Sequence, residues 1–180
     1  QNFYEGRLGT IFAQQQLPLP ILKSVTNNQS DFFQLLATKR VLFIHVDDAH
    51  PVFRKMNESE AELICTILQD LAQIYQLAGE DLSTKQIGII TPFRAQIINI
   101  QNKLLPLDLH LNCTVDTVER FQGGKKDIIL ISMVVSTPEQ LQMIASLNED
   151  GLDRKMNVAL TRARDRVIML GNTKILKSSP

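Results

Sequence analysis

The run Ile128-Ile129-Leu130-Ile131-Ser132-Met133-Val134-Val135 is apolar at nearly every position. A strand that shows one face to water alternates apolar and polar residues, whereas a strand covered on both faces reads as an unbroken apolar run. The run is far shorter than the roughly 20 residues that cross a bilayer. It predicts a strand over Asp127–Val135 at the centre of a sheet with helices on either side. Further β-branched runs at Val41–Val46, Gln86–Thr91, Cys113–Val118 and Arg166–Gly171 alternate with helical patterns. That alternation is the signature of an α/β domain around a mostly parallel sheet.

The helices are marked by their ends. Asn57 followed by Glu60 reads as an N-cap with a box-like partner, and Ala61, Ile64, Ile67, Leu68, Leu71, Ile74, Tyr75 and Ala78 recur at helical spacing until Gly79. A second helix follows Thr91-Pro92 and closes at Pro106. A third is expected over about Asp153 to Arg164, and the polar stretch Thr137 to Gly151 reads as a long surface excursion. Before Val41 the pattern is irregular, with Gln14–Gln16 and Leu17-Pro18-Leu19-Pro20 resembling an extended connector.

Composition narrows the function classes. With 180 residues and 44% apolar side chains, one domain can bury a sizeable core. Nineteen basic side chains balance nineteen acidic ones, so any anion binding must be local rather than the work of a basic tail. Cys65 and Cys113 fit no metal or redox spacing, and a reducing, cytoplasmic setting is expected, or a nucleoid-associated one in a bacterium. The chain opens on Gln1 rather than Met, so it is expected to continue a longer polypeptide.

Three junctions carry residues suited to chemistry: Thr91-Pro92-Phe93-Arg94-Ala95-Gln96, Asp116 through Asp127 with Phe121-Gln122-Gly123-Gly124-Lys125 at its centre, and Asn157-Val158-Ala159-Leu160-Thr161-Arg162-Ala163-Arg164. Parallel sheets bind ligands at the carboxyl ends of their strands, which is where these junctions are expected. Each alone has a bland reading as a helix start, a turn or a solvated helix face. In this order they resemble motifs IV, V and VI in the second RecA-like domain of superfamily 1 helicases, of the RNA-surveillance group that moves 5′ to 3′. The resemblance extends to Asn2-Phe3-Tyr4-Glu5-Gly6-Arg7-Leu8 and to Asn57 with Glu60-Ala61.

The resemblance implies a RecA-like, P-loop-NTPase-like three-layer domain over residues 41–180, entered through a connector over 1–40 from an upstream RecA-like domain. It implies ATP and Mg2+ bound between the two domains, and single-stranded DNA or RNA as the track, with no membrane. Arg162 takes the role of an arginine finger, since a guanidinium can meet charge developing on the γ-phosphate. Gln122, Gly123, Gly124, Lys125 and Arg94 are assigned to the nucleotide, the glycines because a backbone without Cβ can approach an anion. Thr91, Pro92, Gln96 and Thr117 are assigned to the nucleic-acid strand, the threonines as phosphate grips that read no base. Asn157, Arg164 and Asp127 are assigned structural or interdomain roles, because Arg164 would lie roughly 200° around a helix from Arg162.

This sequence departs from the family at Lys125, where a glutamate is usual and is expected to contact the ribose. Lysine cannot accept that hydrogen bond, so the contact is altered or Lys125 meets a phosphate instead. Lys155 stands where arginine is usual. No Gly-x-x-x-x-Gly-Lys-Ser/Thr loop and no Walker B pair occurs in the chain, so this piece alone is expected to bind ATP poorly and hydrolyse none. The alternative is a degenerate module that binds nucleic acid or protein without ATPase coupling. A small-molecule enzyme on a Rossmann-like sheet lacks both a Gly-x-Gly-x-x-Gly loop and an acid–base pair.

Two further features bear on metal and anion binding. His45-Val46-Asp47-Asp48-Ala49-His50 has ligand-type residues close together but is expected to hold no metal, and His110 to be packed. Between positions 153 and 177, Arg154, Lys155, Arg162, Arg164, Arg166, Lys174 and Lys177 face only Asp153 and Asp165. That excess reads either as a solvated helix face or as a face turned to ATP, the partner domain or the nucleic-acid backbone.

Overall fold

The computed structural model describes residues 30–47, 55–107, 111–121, 124–144 and 154–177. The expected central strand is β4, Lys126–Ser132, third in a five-stranded sheet of order β1-β5-β4-β2-β3. Its neighbours are β1 (Val41–His45), β2 (Gln86–Ile90), β3 (Asn112–Asp116) and β5 (Ala163–Gly171), and every pairing is parallel. Alternate residues of each strand feed opposite faces. Ile87, Ile89, Ile128, Leu130, Ile168 and Leu170 pack under one helical layer, while Ile90, Ile129, Ile131 and Val167 pack under the other.

The first layer holds α1 (Asp31–Thr38), α2 (Glu58–Leu77) and α3 (Arg94–Leu104), and the second holds α4 (Pro138–Ile144), α5 (Arg154–Thr161) and α6 (Thr173–Leu176). This is the three-layer RecA-like arrangement expected. Helix α2 starts at Asn57, whose Oδ1 accepts from the Glu60 amide at 3.0 Å, and ends before Gly79 at φ 75°. Lys103 of α3 clamps Glu58 of α2 at 2.6 Å, and that ammonium holds the Glu58 carboxyl below its usual range.

Several elements differ from the expectation. Residues 31–38 of the expected connector form helix α1, capped by Ser30, and its Phe33, Leu36 and Ala37 are buried. An apolar stripe beside a cap outweighed the irregular surroundings. The third helix ends at Thr161, and Arg164 lies in β5, because the strand register pairs Lys126 with Ala163. The angular argument that separated Arg162 from Arg164 on one helix therefore fails. Part of the expected surface excursion is α4, anchored by fully buried Gln140. The motif at Asn2–Leu8, His50 and His110 lie outside the described residues.

Strand β4 stops short of Val135 because Val134 takes φ 55°, a left-handed conformation that strains a β-branched residue. Hydrogen bonds on both sides hold it there. Its N–H donates to the Glu60 oxygens at 3.2 and 3.1 Å, and its carbonyl accepts from Gln140 Nε2 at 2.6 Å. A loop after the central strand is thus tied to both helical layers.

Candidate functional site

All strands run the same way, so the three junctions fall at opposite ends of the sheet. Thr91 follows β2 and Thr117 follows β3 at the carboxyl end. Gly124 and Lys125 precede β4, and Arg162 precedes β5, at the amino end. Along β4 these ends lie roughly 20 Å apart, at about 3.3 Å per residue. The expectation that every junction lies at carboxyl ends holds only for the first set. Sequence spacing does not report which end of a strand a loop approaches.

At the carboxyl end, the Thr91 N–H donates to the Asp116 carbonyl at 3.2 Å, which sets Thr91 beside Thr117 on adjacent strands. The sheet order reverses between β2 and β4, so a crevice opens there. A cavity of about 200 Å³ occupies it, lined by Thr91, Pro92, Phe93, Glu119, Met133 and Ile144 among others. Thr91 is fully buried, and its Oγ1 faces no hydrogen-bond partner. It is therefore not an outward-facing phosphate grip. Thr117 is half-buried and Arg94 exposed. Arg94 opens helix α3 here, not near Arg162, so its assignment to the nucleotide alongside Lys125 does not fit the geometry. A cation at a helix N-terminus is unfavourable unless an anion joins it, which suits a strand phosphate.

Gln96 is also corrected. It is fully buried, its Nε2 donates to the Asn57 carbonyl at 3.0 Å and to Ser132 Oγ at 3.1 Å, and its Oε1 accepts from the Asn57 amide at 2.8 Å. A side chain so committed cannot also reach a strand. Gln96 has taken the place that Glu60 would hold in a capping box, which frees Glu60 to accept from Ser132 Oγ at 2.6 Å and from Val134. Asn57, Glu60, Gln96, Ser132 and Val134 form one buried network beneath the crevice. Sequence reasoning found the cap but not this network, and Glu60 three residues after Asn57 was its only local signal.

At the amino end, the Lys126 N–H donates to the Arg162 carbonyl at 2.9 Å, joining the second and third junctions. Arg162 is half-buried, and its Nε is buried without a partner. Gly124 and Lys125 are exposed, and a Cβ on Gly124 would meet nothing within 4 Å. Packing therefore does not require glycine at Gly124. Arg164 Nη1 lies 3.4 Å from Asp127 Oδ1, and Asp127 Oδ2 accepts the Gln86 amide at 2.7 Å, so the pair ties β5, β4 and β2 together. Gln122, Gly123 and the side chain of Asn157 lie outside the described residues. The preceding Phe121 is buried over Gly88, where a Cβ would come within 2.7 Å of the ring.

The basic excess does not form one face. Arg166 is 1% exposed, its Nη1 donates to the Leu36 carbonyl, and burial lowers its pKa to about 10. Lys174 lies at the other end of the sheet, 3.3 Å from Asp47, which also meets His45 Nε2 at 3.3 Å. His45 Nδ1 is occupied by the Thr173 amide at 3.1 Å. Among the described residues no three metal-ligating side chains gather, and no helix is long and apolar enough to cross a membrane.

A family model for the AAA domain matches residues 1–174. The chain belongs to the AAA domain family. It is a C-terminal RecA-like domain of the superfamily 1 helicases. This AAA domain is 43% identical, over 187 aligned positions, to Regulator of nonsense transcripts 1 homolog of Arabidopsis thaliana, covering 99% of the chain and 14% of that protein. It is 32% identical over 150 residues to the DNA replication ATP-dependent helicase/nuclease JHS1 of Arabidopsis thaliana, covering 79% of the chain and 10% of that protein. It is 31% identical over 132 residues to the DNA polymerase alpha-associated DNA helicase A of Saccharomyces cerevisiae, covering 73% of the chain and 18% of that protein. The AAA domain thus spans less than a fifth of the length of these relatives.

Proposed function

We propose that this domain is the second motor half of an ATP-dependent helicase or translocase that moves on single-stranded nucleic acid. The supporting observation is the Lys126–Arg162 backbone bond, which gathers Arg162 and the Gly124-Lys125 segment at one end of the sheet, away from Thr91 and Thr117. One end then faces ATP held by an upstream RecA-like domain, and the other faces the strand. Half-buried Arg162 and the open space at exposed Gly124 fit the phosphate end of a nucleotide. Gln122, Gly123 and Lys125 would line the same phosphates, and Arg162 would meet charge developing on the γ-phosphate. Mg2+ would neutralise phosphate charge when bound with ATP.

On this reading Arg94 and Thr117 hold strand phosphates, Pro92 lines the crevice beside them, and Arg164 with Asp127 keeps the amino ends of the strands in register. Asn157 keeps the structural or interdomain role that the resemblance implies. The domain begins with α1 at Asp31, whose Phe33, Leu36 and Ala37 enter its core, and the segment before α1 links it to the upstream half. The test is ATP hydrolysis by the full-length protein, with and without single-stranded DNA or RNA, beside Arg162→Ala. Stimulation by one nucleic acid, lost in the variant, supports the motor and identifies its track. Strand binding without hydrolysis in the unaltered protein would replace it with a binding-only module, and exposed Lys125 is the observation that favours that second reading.

A further inference from the structure

We propose that Arg166 is a positioning residue for Arg162, fixing the start of β5 against α1 so that the segment arriving from the upstream half sets the stance of the finger. The proposal rests on the reading of Arg162 as that finger and adds the part of this chain that holds it. Arg162 stands immediately before β5, and Arg166 lies four residues further on, roughly 13 Å along a strand. Between them the ladder to β4 is interrupted: Lys126 pairs with Ala163 and Ile128 with Arg166, so β5 carries one residue more than its partner. A bulge of this kind loosens a strand from its neighbour and re-aims the side chains on it. Pairing with β4 therefore fixes this stretch less firmly than the rest of β5.

The other side of β5 supplies the hold. The Val167 N–H donates to the Arg40 carbonyl at 2.8 Å, Arg40 Nη1 donates to the Asp165 carbonyl at 3.1 Å, and Arg166 Nη1 donates to the Leu36 carbonyl. Leu36 lies in the last turn of α1, where carbonyls lack helical partners and a cation is favoured. These bonds join residues 36–40, which follow the segment from the upstream half, to residues 165–167, which follow Arg162. Arg166 is 1% exposed, its Nε and Nη2 have no partner, and its pKa, lowered by burial to about 10, still leaves it charged at neutral pH. A buried cation with unpaired donors stabilises a fold less than an apolar side chain of its size, and the best-attested use of such a group is to fix one arrangement among several. Core stability alone does not account for Arg166, whereas seating α1 on the bulged start of β5 does.

The test is strand-stimulated ATP hydrolysis by the full-length protein carrying Arg166→Met or Arg166→Lys, beside unfolding in urea and amide exchange in α1. Arg166→Met keeps much of the volume and removes the charge, so the unfolding midpoint should hold or rise while the α1 amides exchange faster. Its kcat should fall roughly tenfold to a hundredfold with KM for ATP unchanged, as expected of a finger displaced from the transition state alone. Arg166→Lys, which can still donate to the Leu36 carbonyl, should recover part of that loss. Arg40→Met loosens the same junction at its other contact and should move kcat in the same direction. An unchanged kcat in Arg166→Met overturns the proposal, and so does a fall in kcat that only follows a lower unfolding midpoint, which is what core packing by itself would give. Unchanged exchange in α1 overturns the tie between α1 and β5. Any of these results leaves the finger reading of Arg162 intact, whereas no hydrolysis by the unaltered protein overturns that reading and the positioning role with it.

Discussion

The carboxyl and amino ends of the sheet are built differently. Beneath the carboxyl end, Asn57, Glu60, Gln96 and Ser132 are each 6% exposed or less and are joined by hydrogen bonds that hold Val134 in a strained conformation. At the amino end Arg164 and Lys125 are exposed, and Arg162 is placed mainly by backbone bonds. The first end is knit by buried side chains and holds a shaped cavity, while the second presents half-buried Arg162 and exposed Lys125 beside the Arg164–Asp127 pair. A motor needs both: a fixed groove that keeps its register on a strand, and a charge that acts only when another domain closes on it.

The two ends should respond differently to substitution, most of all at Arg162. Arg162→Ala in the full-length protein should lower strand-stimulated ATP hydrolysis roughly a thousandfold or more and leave the unfolding midpoint unchanged. At the other end the effects should fall on stability instead. Glu60→Ala takes the acceptor from the Ser132 hydroxyl and the Val134 N–H, and should cost about 3 kcal/mol in urea unfolding. Gly88→Ala drives a methyl into the Phe121 ring and should cost about 1–3 kcal/mol, with a change in the Phe121 environment visible by NMR.

A smaller effect is expected only in alkali. Burial pushes the Cys113 thiol from 9.0 up to about 12, so the folded chain keeps a proton that the unfolded chain loses. The stability this contributes is whole below pH 9 and is lost as pH rises towards 12. Cys113→Ala should flatten the fall in stability measured between pH 9 and 11. The smallest change belongs to Arg164→Ala, an exposed pair whose loss should cost less than about 1 kcal/mol. A cost as large as that of Glu60→Ala would mean that the amino end is as tightly built as the carboxyl end.

Much of the fold was legible because it rests on local pattern. The unbroken apolar run ending at Val135 announced a central strand, and Asn57 with Gly79 marked both ends of α2. Gly88 gave no warning, since the Phe121 ring that requires it comes from a distant loop. The site was legible as a set of residues rather than as an arrangement. Gln96 looked like a strand contact, Arg94 like a nucleotide contact and Arg166 like part of a charged face. Gln96 and Arg166 were reassigned by neighbours distant in sequence, Ser132 and Leu36, and Arg94 by the end of the sheet at which α3 starts.

Hydrophobic period, caps and motif wording are short-range properties, so the α/β class, the parallel layers, the family and the residue types available for phosphate chemistry could be read along the chain alone. Which residues share an end of the sheet, and that Thr91 is buried rather than turned towards a strand, emerged only when distant strands paired and packed. Pairing partners, burial and unmet hydrogen bonds arise between segments tens of residues apart, where chain order carries no distance.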